Sequence, residues 1–270
     1  MSTDPIEFAD TIPYYYDRGL GPNMFEAYAA DLARVGCEEA VLDVLEVAAG
    51  TGIVSRHLRN RLPAAASLIS TDFNPQMLEI AKRKFSDEER VEFKVANAMV
   101  LPFEDGLFDL VISQFGVMFF PDKCAFFREA NRVLKPGGRM VFNVWSAMSE
   151  NPFSQLAKDV ASDYFPDNPP EFYDTPFRYG DPVDVTPDLL TGGWLDIQHE
   201  TLRITQVIVD PRGYAEGLVY GNPLIHEIRA RKDLDPEEVV SKMCAAINLW
   251  FGQTDMTMPL SATRFVCRKS

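Results

Sequence analysis

The sequence predicts an α/β fold, a mostly parallel sheet with helices on both faces and a small helical or irregular cap. Three observations lead there. Short apolar runs alternate with runs of helical period between residues 40 and 145. Glycine turns punctuate them, as at Ala49-Gly50-Thr51-Gly52 and Lys135-Pro136-Gly137-Gly138. The spacing leaves room for a helix between successive strands, as parallel pairing requires.

Taken in order, residues 25–35 place Phe25, Tyr28, Ala29, Leu32 and Val35 on one helical face. The preceding IPYYYDRGLGPN is aromatic and then broken by Gly and Pro, so it reads as chain draped over another surface. Residues 41–47 form a buried strand despite Asp43 and Glu46, and residues 53–61 a helix. Residues 67–71 are a second strand ending in Asp72, and residues 75–85 a helix with Met77, Leu78 and Ala81 inward. Residues 91–95 and FDLVISQF are the third and fourth strands. A helix over 123–134 follows, and KPGG turns abruptly into a fifth strand, RMVFNVW.

The pattern lapses after Trp145. Residues 149–190 are rich in Pro, Asp and aromatics; 151–165 reads as helix and the remainder as irregular cover. A long strand is expected at 195–209, helices near 211–219 and 236–250, and a last strand at 262–267. The expected organisation is one domain over 1–270. It has an N-terminal lid and helix at 1–36, a ligand-binding core at 40–145, and covering segments at 149–190 and 210–250.

A parallel sheet holds its ligands at the carboxyl ends of its strands. Gly50 and Gly52 stand at the end of the first, where glycine lets backbone approach a ligand closely; plain helix–strand packing would use the same pattern. Asp72, at the end of the second strand, is placed to accept both hydroxyl hydrogens of a ribose. A nicotinamide or flavin enzyme would carry the same acid. Two residues count against a dinucleotide. Ser55 takes the third glycine position of G-x-G-x-x-G, and Glu46 at the loop entrance repels a pyrophosphate while suiting an ammonium or sulfonium. The balance moves from NAD to S-adenosyl-L-methionine.

Four motifs in order carry a specific resemblance: Glu46-Val47-Ala48-Ala49-Gly50-Thr51-Gly52, Asp72 in STDFNPQML, Asn97-Ala98 in VANAMVLPFEDGLFDLVISQFGVMFF, and Leu134-Lys135-Pro136-Gly137-Gly138. The chain resembles the class I S-adenosylmethionine-dependent methyltransferases, in the small-molecule group that includes the UbiE-like quinone-biosynthesis enzymes. The likeness covers residues 40–145 and weakens beyond. It implies a Rossmann-like class I methyltransferase fold, with S-adenosyl-L-methionine as cofactor and S-adenosyl-L-homocysteine as product. By position, it implies that Ala48, Gly50 and Gly52 line the methionine moiety and that Glu46 orients the loop, reaching the ammonium through water. Asp72 would hold the ribose, and Phe73 and Met77 would pack on the adenine. The Asn97 side chain and Ala98 N–H would read the adenine edge, while Gln114 and Phe115 close the methionine side. Met77 also reads as a core residue of its helix, and Phe119 and Phe120 read as core.

Methyl transfer asks little beyond in-line placement and exclusion of water, with a general base only for an acceptor that still carries a proton. His57 reads as helix surface and His199 as structural or solvent-facing, which leaves His226 as the one histidine considered as a base. Tyr14, Tyr15 and Tyr16 precede a Gly-Pro hinge and are candidates to cover the cofactor, with Tyr15 the candidate catalytic hydroxyl. Trp145, ending strand five, and Phe177, Arg178 and Tyr179 are candidate acceptor walls; each aromatic also fits as plain filling of a lid. Together they imply an apolar or aromatic acceptor small enough to be enclosed; with the resemblance, the expectation is a small aromatic or quinone-like metabolite methylated on oxygen, nitrogen or ring carbon.

A net charge of −14 argues against nucleic acid and anionic membrane surfaces as partners. Asn168-Pro169-Pro170 is not at the end of strand four, where an amino-methyltransferase signature would stand. No His, Cys or acid spacing suits a metal, and Cys37, Cys124, Cys244 and Cys267 are expected as free thiols. The start has no basic segment followed by an apolar one, so a cytoplasmic chain is expected, as a monomer or homodimer. The rival readings are a nicotinamide-dependent oxidoreductase and a non-catalytic cofactor-binding or interaction protein.

Overall fold

The computed structural model describes residues 12–167 and 169–270. Residues 1–11 of the expected lid, and Asn168, lie outside them. Seven strands form one sheet among the described residues: β1 (Asp43–Val47), β2 (Ser67–Asp72), β3 (Val91–Val95), β4 (Phe108–Gln114), β5 (Leu134–Trp145), β6 (Asp196–Val207) and β7 (Thr257–Arg268). Their order is β3-β2-β1-β4-β5-β7-β6. The first five are parallel, and β7 runs antiparallel to β5. The helices are α1 (Ile12–Tyr15), α2 (Glu26–Gly36), α3 (Ile53–Arg61), α4 (Pro75–Lys82), α5 (Lys123–Val133), α6 (Pro152–Ser162), α7 (Pro182–Thr191), α8 (Pro211–Tyr220), α9 (Leu224–Ala230) and α10 (Pro236–Phe251). A mostly parallel sheet flanked by helices is the class that the alternating pattern predicts.

The chain forms two compact units. The larger comprises Ala27–Ser146, Pro176–Leu202 and Ala262–Ser270. Its core joins Leu32 of α2, Val54 and Leu58 of α3, and Val44, Leu68, Leu110 and Ile112 of the central strands, each at most 3% exposed. A second set of rings continues that unit: Phe142 stacks on Phe265 at 4.9 Å, and Phe127 packs against Phe142. Helix starts are fixed by local chemistry. The Asn74 side chain accepts from Gln76 N–H at 2.9 Å ahead of Pro75, and Asp122 caps α5 through Ala125 N–H at 2.8 Å. Residues 182–191, expected as irregular cover, are helix α7. Pro182 occupies its first turn and Asp181 accepts from Val183 N–H at 2.9 Å, so this proline starts a helix.

The smaller unit comprises the segment ending at Glu26 together with Ala147–Thr175 and Arg203–Ser261. Here the expectation of a draped N-terminal segment is wrong. Tyr16–Phe25 is a ten-residue π-helix that continues α1, with Gly19, Leu20, Gly21, Asn23, Met24 and Phe25 buried. Its Gly19 meets Gly213 and Gly217 of α8 so closely that a Cβ would stand 2.5 Å from the Gly213 carbonyl oxygen. Gly19, which reads as a break, is a contact point between two helices. Within the same unit Tyr173 donates to the Leu218 carbonyl at 2.8 Å, and Asn151 ties to Ser261 through both its amide groups. Helix α9 has no counterpart among the elements the sequence pattern predicts; Asn222 opens it by accepting from Leu224 N–H at 3.0 Å.

Candidate active site

The order β3-β2-β1-β4 reverses direction between β1 and β4, and a parallel sheet opens a crevice at such a point, at the carboxyl ends of the strands. A cleft of about 440 Å³ lies there in the larger unit, lined by Val47 and Ala48 after β1, Asp72 and Phe73 after β2, residues 96–99 after β3, and Gly116 and Phe119–Pro121 after β4.

The β1 turn is built on backbone geometry. Ala48, Gly50 and Gly52 all have left-handed φ, at 56°, 55° and 79°. Nothing lies within 4 Å of a Cβ built on Gly50, so glycine is required there by dihedral alone and the space beside it stays open. At Gly52 a Cβ would meet the Ala81 Cβ at 2.9 Å, so this glycine serves the close packing of α4. The two readings of the Gly-x-Gly pattern thus divide between its two glycines.

Asp72 ties the turn to β2. Its Oδ2 accepts from Gly50 N–H at 2.8 Å and its Oδ1 from Asn74 N–H at 2.8 Å. Burial raises its pKa, against the pull of these backbone donors. Each oxygen keeps acceptor capacity beyond its backbone bond. Asn97 accepts from Met99 N–H at 3.0 Å through Oδ1, which orients the side chain.

Glu46 does not line the cleft. It is 1% exposed, and its Oε2 accepts from the hydroxyls of Ser55 and of Ser70, the latter at 2.8 Å. Ser55, at the missing third glycine of the dinucleotide pattern, is therefore the partner of a buried acid. Burial pushes the Glu46 carboxyl up to about 7, the hydroxyls opposing. Gly50, Gly52, Met77, Gln114 and Phe115 are also outside the lining, with Met77 half-buried on α4. Phe73 is 77% exposed at the cleft.

Phe119 and Phe120 correct the core reading: Phe119 is 48% exposed, Phe120 half-buried, and both form a wall of the cleft. Sequence reading missed this wall, with Met99 and Gly116, although an apolar run directly after a strand's carboxyl end (GVMFFP) was a visible signal.

The expected acceptor residues are not gathered at the cleft. Trp145 is 3% exposed, its ring stacked on Phe115 at 3.9 Å with Tyr28 edge-on to both. Tyr179 is buried and donates to Asp188 Oδ2 at 2.8 Å, while Arg178 is exposed. Tyr14, Tyr15, Tyr16 and His226 belong to the smaller unit. There Tyr14 accepts from Arg18 at 2.7 Å, Tyr15 stacks on Tyr220 at 4.7 Å and Tyr16 on Phe25 at 5.0 Å; His226 is exposed on α9. His57 is half-buried on α3 and His199 is exposed on β6. All four cysteines are free.

Residues 45–142 match the family model described as a methyltransferase domain. Those residues, about a third of the chain, are similar to a methyltransferase domain. Among curated relatives, demethylmenaquinone methyltransferase of Lactococcus lactis is 42% identical over 102 residues, 37% of this chain and 40% of the relative. The enzyme of that name from Staphylococcus saprophyticus is 39% identical over 146 residues, 53% of this chain and 63% of the relative. The match spans about half the length of the curated relatives. Among solved structures, Haemonchus contortus phosphoethanolamine N-methyltransferase 2 in complex with S-adenosyl-L-methionine superposes with a TM-score of 0.60 at 19% identity, over 97% of this chain and 59% of that one. That likeness is one of fold. The matched residues include every residue that lines the β1-to-β4 cleft, whereas the smaller unit lies outside them.

Proposed function

We propose that this chain binds S-adenosyl-L-methionine in the cleft and transfers its methyl group to an oxygen, nitrogen or ring carbon of a small aromatic or quinone-like metabolite. The carrying observation is the pairing of Asp72 with the Gly50 turn at the cleft. A carboxylate fixed by two backbone N–H groups retains lone pairs for a ribose diol, beside a turn with open space above Gly50. A volume of about 440 Å³ is adequate for a nucleoside-sized ligand. The names of the relatives support a quinone-type acceptor.

When bound, S-adenosyl-L-methionine supplies a methyl group already activated on a sulfonium. The chain's own residues hold and shield. Asp72 accepts the ribose hydroxyls. The Asn97 amide group, its oxygen engaged by Met99 N–H, offers donors to the adenine. Phe73, Phe119 and Phe120 present rings that pack on flat groups and exclude water, which strengthens the electrostatics inside. Rate enhancement then comes from placement of the acceptor in line with the leaving sulfur.

The test is transfer from methyl-labelled S-adenosyl-L-methionine to a panel of phenols, quinones and aromatic amines. Labelled product with stoichiometric S-adenosyl-L-homocysteine supports the proposal. Hydride transfer from a nicotinamide, with no methyl transfer, overturns it in favour of an oxidoreductase.

A further inference from the structure

We propose that Asn143 is a positioning residue for the cleft, acting by clamping Phe115 in a left-handed backbone conformation. The inference rests on the cleft being the cofactor site.

Phe115 directly follows β4 and has φ 50°, a region that a residue with a large side chain occupies only when its surroundings impose it. What imposes it is Asn143 on β5, which pairs with Gln114 in the parallel register. The Phe115 amide donates to Asn143 twice, to the backbone carbonyl at 3.2 Å and to the side-chain Oδ1 at 3.0 Å. Asn143 is 1% exposed, so this bond is made away from water. The Phe115 ring is meanwhile held on Trp145 at 3.9 Å, nearly coplanar at 6°.

The consequence falls on the next residue. Gly116 enters the cleft against Ala48, itself left-handed at the end of β1; a Cβ on Gly116 would stand 2.5 Å from the Ala48 Cβ. Two non-glycine residues in strained conformations thus end adjacent strands, and one cleft wall, Gly116 to Pro121, starts from their contact. If Phe115 relaxed to the usual negative φ, the chain direction after β4 would change and the wall would leave its place. Asn143 is not among the residues that line the cleft, so its effect is indirect.

The experiment is a double-mutant cycle in the full chain, reading S-adenosyl-L-homocysteine affinity by calorimetry and Phe115 amide exchange by NMR. Asn143→Leu keeps the volume and removes the acceptor. Phe115→Gly makes the left-handed conformation free of side-chain strain, so it no longer needs the clamp. The clamp predicts that Asn143→Leu weakens binding about tenfold in the parent and about twofold or less in the Phe115→Gly background, with Phe115 amide exchange accelerated. The same loss in both backgrounds, or no loss in the parent, overturns it. Should Asn143→Leu fail to fold, Asn143→Asp, which keeps the acceptor oxygen, must bind within about threefold of the parent; a larger loss overturns the proposal. If the parent itself binds no S-adenosyl-L-homocysteine, the cofactor reading has failed. The exchange rate then decides the clamp alone: accelerated exchange in Asn143→Leu keeps it, unchanged exchange ends it.

Discussion

The Gly50 amide donates to the Asp72 carboxylate at 2.8 Å, so the glycine turn after β1 and the acid after β2 are one hydrogen-bonded unit. Two residues that sequence reading treats as separate signals support each other. The turn fixes one oxygen of the acid, and the acid fixes the turn's backbone beside the cleft.

Glu46 gives a pH dependence whose sign follows from burial. Its carboxyl is raised from 4.5 to about 7, so between those values the folded chain binds more protons than the unfolded one. Stability is therefore greatest below about 4.5 with respect to this group and falls as pH rises through 7. The span corresponds to on the order of 3 kcal/mol. Urea unfolding from pH 4.5 to 8 should show this slope in the parent and lose it in Glu46→Gln; an identical slope in both would remove Glu46 as its source.

Gly116→Ala should damage both stability and binding. The added methyl would stand 2.5 Å from the Ala48 Cβ and 3.0 Å from Ser113 Oγ, an overpacking that costs about 1–3 kcal/mol. Thermal unfolding reads the first effect and calorimetry with S-adenosyl-L-homocysteine the second.

Gly19→Ala should destabilise the smaller unit by a similar mechanism. Its methyl would meet the Gly213 carbonyl oxygen at 2.5 Å and the Gly217 Cα at 2.6 Å, both rigid backbone atoms of α8, at a cost of about 1–3 kcal/mol. Hydrogen exchange should report the loosening in the π-helix and α8; protection equal to the parent's would show that the contact is not tight.

Phe119→Ala separates binding from stability. Phe119 is 48% exposed, so its truncation should shift unfolding by no more than about 0.5 kcal/mol. If its ring covers a bound ligand, affinity falls severalfold all the same. A stability loss without an affinity loss would return Phe119 to the core role that its apolar character first suggested.

These contrasts mark what the sequence can and cannot say. The strands, most helices, and Gly50 and Asp72 as separate signals are legible because their cues are local: period, cap and turn residues within one segment; the bond that joins Gly50 to Asp72 is not. The π-helix at 16–25 was not, because Gly19 and Pro22 read as breaks and only the opposing Gly217 of α8 shows why glycine is needed. Helix α7 is hidden by Pro182 and Pro187, which read as irregular cover, although one of them sits where a proline starts a helix. Glu46 reads toward a ligand because its position in the motif is visible and its distant partner Ser70 is not. Left-handed backbone at Ala48 and Phe115 has no local signal, since neither is glycine and what holds Phe115 lies on another strand.

The central claim is that the cleft between the strand ends binds S-adenosyl-L-methionine through Asp72. Calorimetry with S-adenosyl-L-methionine on the parent and on Asp72→Ala tests it most directly. The account predicts micromolar binding by the parent, on the order of −8 kcal/mol, largely lost in a variant that remains folded. Absence of binding by the parent, or equal affinity in the two proteins, would contradict it and leave the Gly50–Asp72 bond a structural tie alone.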